Sequence, residues 1–220
     1  MTLRQVVKVL RKHHGPQPPP PSADPFELIL LENVAYLATH ARRREAFELL
    51  QSTVGTSPKA ILSARRTALE KVTARGILKA RFAAKLRECA RIATSDFGGD
   101  LAAVIRLPLE RAKRALRSFP GIGEPGAEKI LLFTGRHALL APDSNALRVL
   151  VRFGLVGEGT SYSRTYAAAR PVAEAFSADP RLLQEAHQLL QRHGQSLCKR
   201  SAPRCTECPL ARECAYARRQ

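Results

Sequence analysis

Four cysteines close together carry the most concentrated chemistry in this chain. Cys198, Cys205, Cys208 and Cys214 are spaced C-x6-C-x2-C-x5-C in the last quarter of the 220 residues, interleaved with Lys199, Arg200, Arg204 and Arg212. Thiolates are soft ligands, and a set this compact suits either a zinc ion or a [4Fe–4S] cluster. Cys205-x2-Cys208 has the form of a zinc half-site, but the flanking gaps of six and five do not repeat it, so the spacing leaves both groups open. Disulfides would require an oxidising compartment, and the opening Met1-Thr2-Leu3-Arg4-Gln5 lacks the apolar core of a leader peptide. Cys89 stands apart in an Ala/Leu/Ile-rich helical stretch and reads as an inert core thiol.

A second pattern is Phe119-Pro120-Gly121-Ile122-Gly123-Glu124-Pro125. One helix ends before it, a tight turn follows, and another helix starts with Pro125 at a favoured first-turn position. Gly121 and Gly123 let the backbone come close to a ligand, and the N–H groups around Ile122 can bind phosphate without reading sequence. The same turn would serve as a plain corner between helices; the charge of the chain favours the phosphate reading. Lys and Arg number 36 against 19 Asp and Glu, a formal charge of +17. A polyanion is the expected partner. The basic residues fall in many short runs, such as Arg42-Arg43-Arg44 and Arg65-Arg66, which points to a folded surface against phosphates instead of a basic tail. No stretch approaches the roughly 18 apolar residues of a membrane span, and no lipidation motif accompanies the charge.

The elements that must position these residues all read as helices. Leu3 to His13 is amphipathic and stops at Gly15 and the connector Pro16 to Pro21. Asp24-Pro25 opens a helix expected to run to about Thr39, and Ser57-Pro58 opens another. Further helices are expected over 79–95, 99–106, 109–117, 125–136, 144–153, 162–178 and 180–193. No run alternates like a strand, so the fold class is all-α.

Taken together these residues resemble the helix–hairpin–helix DNA glycosylases of the endonuclease III type. Phe119 to Gly123 is similar to the family hairpin, Pro142-Asp143-Ser144-Asn145-Ala146-Leu147-Arg148-Val149 to its Asp-bearing segment, and His193-Gly194 to the His-Gly before its cysteines. The cysteine spacing matches the family's iron–sulfur spacing, and Pro25-Phe26-Glu27-Leu28 the start of its helical barrel. The resemblance implies a [4Fe–4S] cofactor on Cys198, Cys205, Cys208 and Cys214. It implies a six-helix domain over 26–137 with the hairpin, and a cluster domain from 1–25 and 138–220. Duplex DNA with a damaged or mismatched base is the implied partner, bent between two lobes while a nucleotide is flipped into a pocket. A monomer in the cytoplasm, or with the nucleoid of a prokaryote, is the expected setting. Gly121, Ile122, Gly123, Lys129 and the loop residues Lys199, Arg200 and Arg204 are the implied DNA contacts.

Asp143 is the candidate for stabilising positive charge on the deoxyribose, although its position also suits a helix cap. Bifunctional members carry a nucleophilic lysine two places after the second hairpin glycine; Pro125 stands there and has no amine. Lys129 lies one turn further along, as a phosphate contact or a substitute nucleophile. Glu32 falls where related adenine glycosylases use a glutamate to protonate the leaving base or handle water. Tyr36 could stack on or wedge beside the flipped base, and Leu37 aligns with the family's wedging glutamine. The expectation is a monofunctional base-excising glycosylase, with a glycosylase/AP lyase and a non-catalytic binder of damaged DNA as alternatives. The absent lysine is more similar to thymine or uracil mismatch enzymes.

Overall fold

The computed structural model describes residues 1–220, and helices are its only regular secondary structure. In chain order they are α1 (Leu3–His14), α2 (Pro25–Asn33), α3 (His40–Thr53), α4 (Pro58–Ser63), α5 (Arg66–Thr73), α6 (Lys79–Phe97), α7 (Leu109–Leu116), α8 (Glu124–Phe133), α9 (Ser144–Phe153), α10 (Tyr162–Ala167), α11 (Arg170–Glu174) and α12 (Pro180–Ser196). Short 3-10 turns follow at Val104–Arg106 and through the cysteine segment. None of the helices is long and apolar enough to cross a membrane.

Two compact units emerge, one from Pro20 to Arg136, the other from Met1 to Pro19 with His137 to Gln220. In the first, α6 packs against α2, α4 and α5, and the core is built on Phe47, Leu50, Ile61, Leu69, Leu86 and Leu131. In the second, α12 packs against α9 and α1 through side chains such as Val6, Leu10, Leu150, Leu183 and Leu190. Helix starts follow the sequence signals. Asp24 accepts from Glu27 N at 2.8 Å with Pro25 behind it, Ser57 caps α4 with Pro58 behind it, and Asp179 caps α12 with Pro180 behind it.

The chain departs from the expected helices in informative places. The helix opened at Asp24 stops at Asn33 instead of Thr39, and Thr39 becomes the N-cap of α3. Asn33 Nδ2 donates to Ile29 O at 3.1 Å, and the chain turns with Leu37 in left-handed backbone at φ 52°. The span 162–178 breaks into α10 and α11, with Pro171 in the first turn of α11 where its missing N–H does no harm. Only a 3-10 turn survives of 99–106, which begins beyond the left-handed glycines Gly98 and Gly99. The polar helix α3 and the short α5 went unread because each buries only three residues. Cys89 is fully buried, and burial pushes its thiol up to about 12.

One buried ion cluster fastens α7 to α8 behind the hairpin. Lys113 is 4% exposed, and its Nζ lies 2.7 Å from Glu124, 2.9 Å from Glu128 and 3.2 Å from Glu110. Burial alone would lower the lysine pKa, but the hydrogen bonds Lys113 donates to the three carboxylates outweigh it and the net direction is up. A group whose folded pKa is raised contributes its stability below the ordinary lysine range and loses it as pH rises through the folded value. Lys113→Met removes the cation shared by three carboxylates, the buried Glu128 among them, and should cost about 3 kcal/mol in urea unfolding. The difference from wild type should be steady between about pH 6 and 9 and shrink above that.

Candidate functional site

The hairpin joins α7 to α8. Gly121 has φ 80°, and a Cβ there would sit 2.6 Å from Asn33 Oδ1, so only glycine fits. Gly123 is different: it is the N-cap of α8 in extended backbone, no side chain caps the helix, and a Cβ would meet nothing closer than 3.9 Å. Its use is to leave the helix start uncovered. Phe119 and Ile122 are buried, and Ile122 N donates to Phe119 O at 3.1 Å, so Ile122 anchors the turn in the core.

Glu32 lies in the last turn of α2, and its Oε1 lies 2.6 Å from Lys129 Nζ of α8. Of the residues singled out in sequence, these two meet directly. Tyr36 and Leu37 follow in the turn after α2. The Tyr36 ring stacks on Phe82 with centroids 4.7 Å apart and is 41% exposed, while Leu37 is 72% exposed. Ile77 N donates to Tyr36 O at 3.1 Å, and Ile77 and Leu78 are themselves half exposed. Leu78, like Leu37, has left-handed backbone (φ 56°), which for a leucine is strained. The sequence reading missed Ile77 and Leu78. The signal was there in Gly76-Ile77-Leu78, two large apolar residues in front of a basic helix.

Asp143 lies in the other unit as the N-cap of α9. Its Oδ1 accepts from Asn145 N at 3.0 Å and Ala146 N at 2.8 Å, and its Oδ2 from Gln191 Nε2 at 2.6 Å and Asn145 Nδ2 at 3.4 Å. Both anticipated roles draw on the same carboxylate, since Oδ1 satisfies the cap and Oδ2 is held by a side chain from α12. Gln191 was not singled out, and its 48-residue separation gives no local signal. The charge of Asp143 adds to burial in raising the phenol of Tyr162, which is half exposed at the start of α10.

The four cysteine thiols are free and line one cavity with largely apolar walls that include Val149, Phe153, Leu197 and Leu210. No three His, Cys, Asp or Glu side chains converge closely enough to share a single ion. The donor set itself is four soft thiols, whose chemistry would suit a zinc ion or an iron–sulfur cluster. Arg152 holds the loop by its backbone, donating to Lys199 O at 2.6 Å and Arg200 O at 3.0 Å. The side chains of Lys199, Arg200 and Arg204 are exposed, and Arg204 pairs with Glu207. His193 packs behind the cavity with Nε2 3.4 Å from Cys208 Sγ, and burial pushes its pKa down to about 4.

No protein-family model matches the chain. The endonuclease III of Sulfolobus acidocaldarius is 27% identical over 87% of this chain and 82% of its own length. The thymine-DNA glycosylase of Aeropyrum pernix is 24% identical over 89% and 84%. The DNA glycosylase/AP lyase ROS1 of Arabidopsis thaliana is 29% identical over 56% of this chain, which spans only 10% of that relative. Among solved structures, a thermostable thymine-DNA glycosylase superposes with a TM-score of 0.77 at 18% identity, covering 99% of this chain and 98% of that one. A non-covalent endonuclease III–DNA complex gives 0.77 at 17%, covering 100% and 98%. The fold is therefore that of the endonuclease III-like glycosylases. Sequence relatives and fold together support the helix–hairpin–helix DNA glycosylase superfamily.

The two hairpin glycines should separate in experiment. Gly121→Ala meets both the left-handed backbone and Asn33, and should cost about 1–3 kcal/mol and weaken duplex DNA binding. Gly123→Ala should cost under about 1 kcal/mol, because neither obstacle exists there. Urea unfolding and DNA titrations of both variants check this.

Proposed function

We propose that this protein is a DNA glycosylase that flips a damaged or mispaired base out of duplex DNA and hydrolyses its N-glycosidic bond without a lysine nucleophile. The observation that carries the reading is the Asp143 carboxylate, fixed by four donors from two helices. As the base departs with the bonding pair, positive charge develops on the sugar, and a pre-oriented carboxylate stabilises it at no cost of reorganisation. Water then adds at the anomeric carbon. Glu32 is proposed to orient that water and accept its proton. Its ion pair with Lys129 makes it an acceptor, and proton donation to the leaving base would require the pair to open.

The exposed apolar Leu37, with Ile77 and Leu78 beside Tyr36, suits the space a flipped base vacates, and Tyr36 offers a stacking face. Backbone N–H groups at Gly121 and Gly123 and the side chains of Lys199, Arg200 and Arg204 are the proposed phosphate contacts, while the Ile122 N–H is already given to Phe119 O. A [4Fe–4S] cluster is proposed on Cys198, Cys205, Cys208 and Cys214, where it would order the basic loop and take no part in bond cleavage. Lyase chemistry is the second reading, favoured by the relative named a glycosylase/AP lyase, and Pro125 stands against it.

Three outcomes are expected. Anaerobically purified protein should be yellow-brown and contain about four irons per chain; one zinc and no iron would overturn the cluster. On a panel of lesion duplexes, headed by thymine and uracil mismatches, the protein should release a free base and leave an abasic site that breaks only in alkali, with no borohydride-trapped adduct. Asp143→Asn retains a helix cap but not the charge, so base release should fall at least about a hundredfold while DNA binding survives. Full activity in that variant would remove Asp143 from the mechanism.

A further inference from the structure

The lysine left on the hairpin helix is turned away from both roles first expected of it. Lys129 stands four residues after Pro125, and positions four apart share a helix face. Its Nζ lies 2.6 Å from Glu32 Oε1, with the two side chains only 16% and 20% exposed. The adjacent Glu128 points elsewhere, to Lys113 at 2.9 Å, so neighbouring positions of α8 make two separate ionic contacts. The residue after Glu32 is also fixed. Asn33 is buried, donates to Ile29 O and lies against Gly121, where a Cβ would come within 2.6 Å of its Oδ1. The end of α2 is thus fastened to the hairpin segment twice, by a close packing contact and by an ion pair. A phosphate contact needs an ammonium extended into solvent, and imine formation needs an unprotonated amine free to swing. A covered ammonium engaged by a carboxylate provides neither.

We propose that Lys129 is a positioning residue that holds the Glu32 carboxylate in the orientation its work on water requires. A glutamate side chain has three rotatable bonds, and a 2.6 Å ion pair narrows the positions its carboxylate samples. Misplacement of a reacting group by about 1 Å costs on the order of a hundredfold in rate. The inference rests on the glycosylase reading above, and it assigns Lys129 to chemistry through Glu32 instead of to DNA affinity.

The test uses the full chain and measures two quantities, single-turnover base release from the best lesion duplex and affinity for a duplex with an abasic-site analogue. Lys129→Met should slow release about 10- to 100-fold while leaving the abasic-duplex Kd within about twofold. Lys129→Arg, which keeps a cation within reach of Glu32, should restore most of the rate. The double variant Lys129→Met with Glu32→Gln should be no slower than Glu32→Gln alone, because nothing remains to be positioned. Lys129→Gln provides the same comparison should Lys129→Met melt too early. A wild-type rate in the neutral variants, or effects that add fully to Glu32→Gln, would overturn the inference alone. So would a weakened Kd at unchanged rate, or a borohydride adduct that Lys129→Met abolishes. If wild type releases no base from any duplex, the glycosylase reading falls and this inference with it.

Discussion

In the cysteine-bearing unit, the arrangement of the candidate catalytic carboxylate and of the cysteine loop depends on one guanidinium. Arg148 donates to Cys198 O at 2.8 Å, Gly194 O at 2.7 Å and Asn145 Oδ1 at 2.9 Å. Asn145 in turn presents its backbone and side-chain N–H groups to Asp143. The planar fork of arginine can serve three acceptors at fixed angles, which a lysine ammonium would not reproduce. It joins the first turn of α9, the end of α12 and the start of the cysteine loop. Gly194 makes this junction possible, since a Cβ there would lie 2.6 Å from Asn145 O. Arg152, one turn on, extends the same scheme to Lys199 O and Arg200 O and lies over the Tyr216 ring at 4.5 Å. The basic residues around this junction therefore divide into two groups. Arg148 and Arg152 are spent on carbonyls inside the unit, while Lys199, Arg200 and Arg204 keep exposed side chains. A net charge of +17 therefore overstates the charge free to meet a polyanion, and within this unit Lys199, Arg200 and Arg204 stand on a loop whose backbone Arg148 and Arg152 hold.

In the hairpin-bearing unit, cost is concentrated around the end of α2. Leu37 and Leu78 both sit in left-handed backbone, and a Cβ on Gly76 would lie 2.5 Å from Tyr36 N. Strain of this kind costs on the order of 1–3 kcal/mol per residue and persists only where surroundings over-determine it. Here the surroundings are the Ile77 N–H to Tyr36 O bond and the Tyr36 ring against Phe82. The residues held in place this way are apolar and exposed, so burial of their own surface does not compensate the strain. That combination marks a presented surface more than a stabilising one.

Much of this was legible in the sequence wherever a residue type has a single physical use. Pro after an N-cap located α2, α4 and α12, Gly-Pro punctuation located the hairpin, and the absence of period-two alternation gave the all-helical class. Contacts distant in sequence were not legible. Gln191 reaches Asp143 across 48 residues, and Lys129 reaches Glu32 across 97, with nothing local to announce either. Composition also misled in one respect. Asp24 to Thr39 is continuously helix-compatible, yet α2 stops at Asn33, whose amide takes a backbone acceptor and whose oxygen is packed against Gly121. Local propensity gave way to a tertiary contact with the hairpin.

The proline at position 125 becomes intelligible in the same terms. It occupies the first turn of α8, where its missing N–H would have had no intrahelical partner and its fixed φ suits the helix. A lysine could therefore be absent from that position without any penalty in folding, so the fold places no demand on the nucleophile. The demands it does place are elsewhere. Gly121 is required by Asn33, Glu124 and Glu128 are required by Lys113, and the Asp143 carboxylate is required by the first turn of α9. What the structure fixes most firmly are thus ion pairs, a capping carboxylate and close backbone approaches, none of which needs a lysine at position 125.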